Sequence, residues 1–91
     1  MRIEWDEEKR HINLRKHGID FEDIEDVFVG DVYSIIDDRF NYGEIRYFAL
    51  GLSSGRVIAI SHTETDEIIR IISTRRANKN EEAKYFREIK D

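Results

Sequence analysis

The chain has 91 residues, 40% of them hydrophobic and 38% charged, with a formal net charge of −5 and no cysteine. This length provides for one hydrophobic core, so we expect a single domain over residues 1–91. The lack of cysteine excludes disulfides and thiolate metal sites and favours a reducing cytoplasm. No long apolar run or signal-peptide core is present, and the three histidines are scattered; we therefore expect no membrane span, no metal and no cofactor.

The first predicted elements are a short strand and a surface helix. Residues 2–5, RIEW, alternate polar and apolar side chains, which is typical of an edge strand. A helix over about residues 6–17 follows, because Asp6 is a favourable N-cap and Gly18 a favourable C-terminal stop. Its apolar stripe consists only of Ile12 and Leu14. We therefore expect this helix to lie on the surface.

A second helix is predicted over FEDIEDVF, residues 21–28, with Asp20 as its cap. Four apolar side chains fall on one side of it and form the predicted buried face: Phe21, Ile24, Val27 and Phe28. The other side carries four acidic residues, which indicates a solvated surface.

After Gly30 the hydrophobic period changes to two. Four strands are predicted, at residues 32–36, 44–51, 56–63 and 67–74. Short turn-like segments join them, which favours an antiparallel meander. A C-terminal helix begins after Asn78, which forms a capping-box pattern with Glu81, and continues to about Lys90. Ala83, Phe86 and Ile89 are spaced to pack on the sheet. The predicted class is α+β, an antiparallel sheet packed with two N-terminal helices and one C-terminal helix.

Charge is segregated along the sequence. Residues 9–19 and 68–80 together hold eight Lys and Arg residues and no acid, whereas the rest of the chain holds 7 basic and 20 acidic residues. A polyanion site becomes possible if these two basic segments meet in space.

Several segments in order resemble the BrnT family of bacterial toxins. They are WDEEK, NLRKHGIDFEDIEDVF, YGEIRYFALG, SSGRVIAISHTE and RIISTRRA. The resemblance as a whole covers about residues 5–85. The resemblance implies a RelE-like fold and a type II toxin–antitoxin ribonuclease that is neutralised by a DNA-binding, BrnA-like antitoxin. The chain departs from the family pattern at two places. Thr74 stands where the family usually has alanine, between the serine and the arginine of the last motif. After the Thr-Glu pair of the SSGRVIAISHTE segment the family often has arginine, whereas this chain has Thr65 and then Asp66.

RNA is cleaved without a metal when its 2′-OH attacks the adjacent phosphate. The enzyme then supplies a base, an acid and positive charge for the phosphorane. Arginine suits phosphate because its planar fork stays protonated, and histidine suits proton transfer because its unperturbed pKa is near neutrality. The candidate catalytic residues are Lys16, His17, Glu44, Arg46, Arg70, Arg75 and Arg76.

His17 is the preferred acid–base candidate, with the alternative that it only caps the first helix. Arg70, Arg75 and Arg76 are the predicted phosphate clamp. In a regular strand Arg70, Thr74 and Arg76 share one face, and Arg75 lies opposite unless a bulge reorients it. The alternatives are that Arg70 pairs with a carboxylate such as Glu44, or that an arginine at the strand exit docks the antitoxin.

The remaining polar and aromatic candidates favour structural roles. Glu44 shares a face with Arg46 and is expected to orient an arginine rather than act as the base. Trp5 and Tyr47 are expected to pack in the core rather than stack a base. His62 is expected to be a packed strand histidine. The alternative function for the chain is a non-catalytic RNA- or protein-binding module, and a titratable group at His17 separates the two.

Overall fold

The computed structural model describes residues 2–39, 41 and 43–89. The elements in chain order are β1 (Arg2–Trp5), α1 (Glu7–His17), a 3₁₀ helix (Phe21–Phe28), β2 (Val32–Asp37), β3 (Arg46–Ser53), β4 (Arg56–Glu64), β5 (Ile68–Arg76) and α2 (Lys79–Ile89). The α+β class is confirmed, and each predicted element is found close to its predicted position. Within these described ranges, no helix has the length and apolar content required to cross a membrane.

The five strands form one mixed sheet in the order β1-β5-β4-β3-β2. Strands β2 to β5 form the predicted antiparallel meander. The expectation of a fully antiparallel sheet is wrong, because β1 runs parallel to β5, with Arg2 beside Ile68 and Trp5 beside Ile71. The connection from β1 to β5 contains two helices and three strands, which is far longer than the crossover that a parallel pair requires.

The predicted caps of α1 are confirmed. The Asp6 carboxylate accepts hydrogen bonds from the backbone N–H groups of Glu8 and Lys9. Gly18 ends the helix with a φ of 72°, a left-handed conformation that glycine adopts without a Cβ penalty. As expected for a surface helix, Ile12 and Leu14 are exposed.

The second predicted helix has the expected bounds, but it is a 3₁₀ helix. Its buried residues Phe21, Ile24 and Val27 recur every three positions, which places them on one face of a helix with three residues per turn. They pack on Ile58, Ile60 and Ile71 of the sheet. We call this covered side of the sheet the closed side. The helix approaches β3 so closely that a Cβ on Gly51 would collide with Cγ1 of Val27.

The opposite side of the sheet, the open side, is only partly covered by α2. Tyr85 is buried against Leu50, Val57 and Ala59, and its hydroxyl donates to the Asp31 carbonyl at 3.0 Å. The capping box is confirmed, since Asn78 and Glu81 exchange side chain–backbone hydrogen bonds of 2.8 and 2.9 Å.

The predicted inner face of α2 is wrong in part. Ala83 and Phe86 are exposed, whereas Tyr85 and Ile89 face the sheet. The reason is that a four-residue step, together with the bulk of Tyr85, sets the face of this helix, rather than the three-residue step from Ala83 to Phe86. The predicted end of the helix at Lys90 lies outside the described residues.

Candidate functional site

A bulge in β5 decides which arginines share a face. The β4–β5 register shifts between Ser61 and His62, so Ser61 lies beside Ser73 while His62 lies beside Ile71. Ile72 is therefore the extra residue, and it reverses the alternation of the strand that follows.

This reversal places Arg70 and Arg75 on the same side of the sheet. Arg70 lies beside Thr63 and Arg75 beside Ala59, and both partners face the open side. The expectation for a regular strand, with Arg70, Thr74 and Arg76 together, is wrong, and the alternative in which a bulge reorients Arg75 is the one observed. Thr74 and Arg76 lie beside Ile60 and Ile58 on the closed side.

We call the uncovered part of the open side the arginine face. It consists of side chains from three neighbouring strands: Arg46 and Phe48 of β3, Ser61 of β4, and Arg70, Ser73 and Arg75 of β5. The α2 helix leaves this region uncovered because it packs on β2 and β3.

Carboxylates lie close to the arginines of this face. Arg70 donates to Glu4 on the adjacent strand at 3.4 Å, and Arg46 donates to Glu44 at 3.2 Å. The partner of Arg70 is thus Glu4 and not Glu44. Acidic and basic residues are therefore less separated in the folded protein than along the sequence, because the fold places carboxylates from other segments beside these arginines.

Arg75 is held by a two-point interaction with a carboxylate. Its two terminal nitrogens donate to the two Glu81 oxygens at 2.8 and 2.9 Å, and its guanidinium lies 6.0 Å from the centre of the Phe48 ring. This hydrogen-bonded pair raises the pKa of Arg75 and lowers the pKa of Glu81. Because Glu81 also accepts from the Asn78 N–H, the cap of α2 fixes the position of Arg75.

A groove of about 480 Å³, which we call the sheet groove, opens beside Arg75. It is bordered by Phe48, Ser61, Ser73, Arg75 and Glu81 and also by Arg39, which sequence reasoning missed. Arg39 donates to Asp37 at 2.8 and 2.9 Å, and its charge is close enough to oppose the raised pKa of Arg75. The groove thus holds two guanidinium groups, each paired with a carboxylate, and Asp38 borders it as well. No sequence signal distinguished Arg39, because it lies in a turn-like acidic segment.

A second groove, the helix groove, lies between α1 and β5 and has a volume of about 240 Å³. Lys16 and His17 line it from the last turn of α1, and Ile72 and Ser73 line it from the bulge. Ser73 therefore borders both grooves. The two basic segments of the sequence adjoin at this serine.

The other aromatic and histidine candidates have structural surroundings. Trp5 packs edge-on against Phe21 and its indole N–H donates to Glu7 at 3.0 Å. Tyr47 stacks on His62, which is 2% exposed, and burial lowers the pKa of that histidine. The expectations of packing roles for Trp5, Tyr47 and His62 agree with these contacts.

The two grooves bring together side chains of the types that contact phosphate in other proteins. Guanidinium groups, serine hydroxyls and an exposed imidazole surround adjoining grooves. Among the described side chains, no three His, Asp or Glu residues converge as a metal-binding group.

Comparison with known proteins places the chain in a family. Residues 5–81 match the family model described as ribonuclease toxin, BrnT, of type II toxin–antitoxin system. No curated protein is significantly similar to the chain. Members of such a family act on RNA and have an antitoxin partner. Since the match includes most of its length, the chain belongs to the BrnT family of type II toxin–antitoxin ribonuclease toxins.

Proposed function

We propose that this chain is a metal-independent endoribonuclease whose arginine face binds RNA at the scissile phosphate. The observation that carries the proposal is the position of Ser73 on the border of both grooves. Because Ser73 lines both grooves, the exposed last turn of α1 lies next to the arginine face. The chain also belongs to a ribonuclease family, which makes RNA the expected ligand.

In this proposal the arginines stabilise the charge that develops on the phosphorane. Arg75 uses both terminal nitrogens on Glu81 and retains Nε–H for a phosphate oxygen. Arg70, half exposed, contacts a neighbouring phosphate, and Arg46 is oriented by Glu44. Guanidinium donors held in advance at the site of developing charge lower the barrier most effectively.

His17 transfers protons, and Lys16 adds positive charge from the same helical turn. Both side chains are exposed at the C-terminal end of α1, where an RNA strand has access. His17 takes the proton of the attacking 2′-OH or supplies one to the 5′ leaving oxygen. Arg76, on the closed side of β5, is assigned to contact with the antitoxin.

Membership of the BrnT family supports a proposed cellular role. Cleavage of RNA inhibits translation and growth, and a BrnA-like, DNA-binding antitoxin neutralises the toxin in the cytoplasm. The chain itself contacts DNA only through that antitoxin. We also propose that residues 1–91 form a single RelE-like domain.

The test is cleavage of single-stranded RNA by purified protein in EDTA. His17→Ala should reduce the rate by about 100-fold or more, which is typical for loss of an acid–base group. Arg75→Ala should cause a loss of about 100-fold, as for removal of a charge-stabilising donor.

Matched variants control for charge and imidazole content. His11→Ala removes an exposed imidazole from the middle of α1, and Arg56→Ala removes an exposed arginine that lies outside both grooves. Both should cleave RNA at the wild-type rate. Wild-type protein that binds RNA without cutting it would instead establish the binding-module function.

A further inference from the structure

Helix α1 is joined to the sheet by one buried side chain amide. β1 pairs with β5 only as far as Ile71, so beyond that residue no strand of the described part of the chain adjoins this edge of β5. At this edge Asn13 donates to the Thr74 carbonyl at 2.9 Å and accepts from the Thr74 N–H at 3.1 Å. The amide thus makes the two hydrogen bonds that a strand residue would make.

Asn13 makes a third hydrogen bond, and we call the three hydrogen bonds of its amide the joint. The Asn13 Nδ2 group also donates to the Ile19 carbonyl at 3.1 Å, just after the end of α1. Asn13 is 5% exposed and is the only buried residue of the helix. Apolar packing contributes little here, since Ile12 and Leu14 are exposed. The distance and rotation of α1 relative to β5 are therefore set largely by this amide.

The joint lies one turn before the proposed acid–base group. Residues three and four positions apart share a helix face, so Asn13 is aligned with Lys16 and His17. All three line the helix groove opposite Ser73. We infer that Asn13 is a positioning residue that holds Lys16 and His17 beside the arginine face; this inference rests on the proposed ribonuclease function.

The variant Asn13→Asp tests this inference because it keeps the shape of the side chain. Its carboxylate still accepts from the Thr74 N–H, but it repels the carbonyl oxygens of Thr74 and Ile19. Burial beside two carbonyls favours the protonated form. Once protonated, the carboxyl donates to the Thr74 carbonyl again and restores the paired hydrogen bonds.

Cleavage of single-stranded RNA is measured from neutral to mildly acidic pH for wild type, Asn13→Asp and Asn13→Ala. At neutral pH both variants should lose about 100-fold in kcat, the effect of displacing a catalytic group by about 1 Å. KM should change much less. The rate of Asn13→Asp relative to wild type should rise on acidification, and that of Asn13→Ala should not.

Dividing the rate of each variant by the wild-type rate at the same pH removes the pH dependence that both proteins share through their other titratable groups. Three charged or titratable groups of α1 line the helix groove with Asn13: Lys9, Lys16 and His17. The other charged groups near the joint are Arg10 of α1, Asp20 after Ile19, and Arg75 and Arg76 next to Thr74. Arg10→Gln is the matched control, because it breaks the other attachment of α1, to Asp20, without contacting β5. It should show no recovery at acidic pH.

Rates are expressed per folded molecule, with the folded fraction taken from circular dichroism. Loss of activity that follows the folded fraction alone would overturn the inference and leave Asn13 as a structural support. Equal relative pH profiles for Asn13→Asp and Asn13→Ala would also overturn it.

Failure of the proposed function is detected separately. Wild-type protein without cleavage would reject the ribonuclease proposal, and the joint would then be tested by NMR titration with inorganic phosphate. Resonances of His17 and Arg75 should shift together in wild type and only that of Arg75 in Asn13→Asp at neutral pH. If the His17 and Arg75 resonances of Asn13→Asp still shifted together, as in wild type, the positioning role would be overturned.

Discussion

The two sides of the sheet carry different kinds of side chain. On the closed side, the 3₁₀ helix covers Ile58, Ile60 and Ile71 with a continuous apolar layer. On the open side, α2 covers one half, and the other half presents arginines and serines around a groove. The larger buried apolar cluster thus lies on the closed side, whereas polar side chains of the open side remain accessible to a ligand.

The largest expected effect is on the closed side. Phe21 is fully buried, so Phe21→Ala should lower the free energy of unfolding by about 3–5 kcal/mol. Phe86→Ala, on the outer face of α2, should change it by less than about 0.5 kcal/mol, because Phe86 is 56% exposed. Urea denaturation measures both. Similar losses for the two variants would contradict the division between the sides.

The close contact of the 3₁₀ helix with β3 predicts the next largest effect. Gly51→Ala forces its new methyl group against Val27, a β-branched side chain with few alternative rotamers, and should cost about 1–3 kcal/mol. Gly30→Ala is the matched control, because a Cβ there meets nothing within 4 Å. Thermal unfolding of both proteins checks the difference. A stable Gly51→Ala protein would mean that the 3₁₀ helix is free to shift.

A polar residue within the closed side predicts a pH dependence. His62 is buried, stacks on Tyr47 and contacts the Phe28 ring, and neither ring nitrogen has a hydrogen-bond partner within the described protein. Burial lowers its pKa, so below the ordinary value of 6.5 the unfolded chain takes up a proton that the folded protein does not.

Stability contributed by neutral His62 is thus complete above that value and decreases as the pH falls, by at most about 1.4 kcal/mol per pH unit. His62→Phe should reduce this decrease between about pH 7 and pH 5. Denaturation at each pH measures it. An unchanged slope in the variant would contradict the contribution of His62, because a carboxylate such as Asp20, whose pKa Arg10 lowers from 3.8 to about 2, affects stability only at lower pH.

The smallest predicted change is a gain. Thr74 is fully buried and its hydroxyl has no hydrogen-bond partner in the described structure. Thr74→Val keeps the shape and removes that hydroxyl, which should stabilise the protein by about 1 kcal/mol. Calorimetry would detect the rise in Tm. A loss of stability would show that the hydroxyl has a water-mediated partner.

Local signals in the sequence predicted the elements well. The caps Asp6, Gly18 and Asn78 act within one turn, so their residue types are sufficient to place the helix ends. The strands were found because alternation is a property of neighbouring residues.

Non-local features were not predictable in the same way. The parallel pairing of β1 and the bulge at Ile72 depend on which strands become neighbours. Alternation alone therefore assigned Arg75 to the wrong side of β5. The partners Glu4 and Glu81 also escaped prediction, because only the fold brings these acids to Arg70 and Arg75.

The parallel pairing of β1 also has a consequence for the order of synthesis. Arg70 and Glu4 are 66 residues apart, and Asn13 and Thr74 are 61 apart. The ribosome therefore synthesises β1 and α1 long before β5, and contacts between residues so far apart in the sequence form late in folding. The nascent chain can therefore bring its two cationic segments together only after residues 68–76 have left the ribosome.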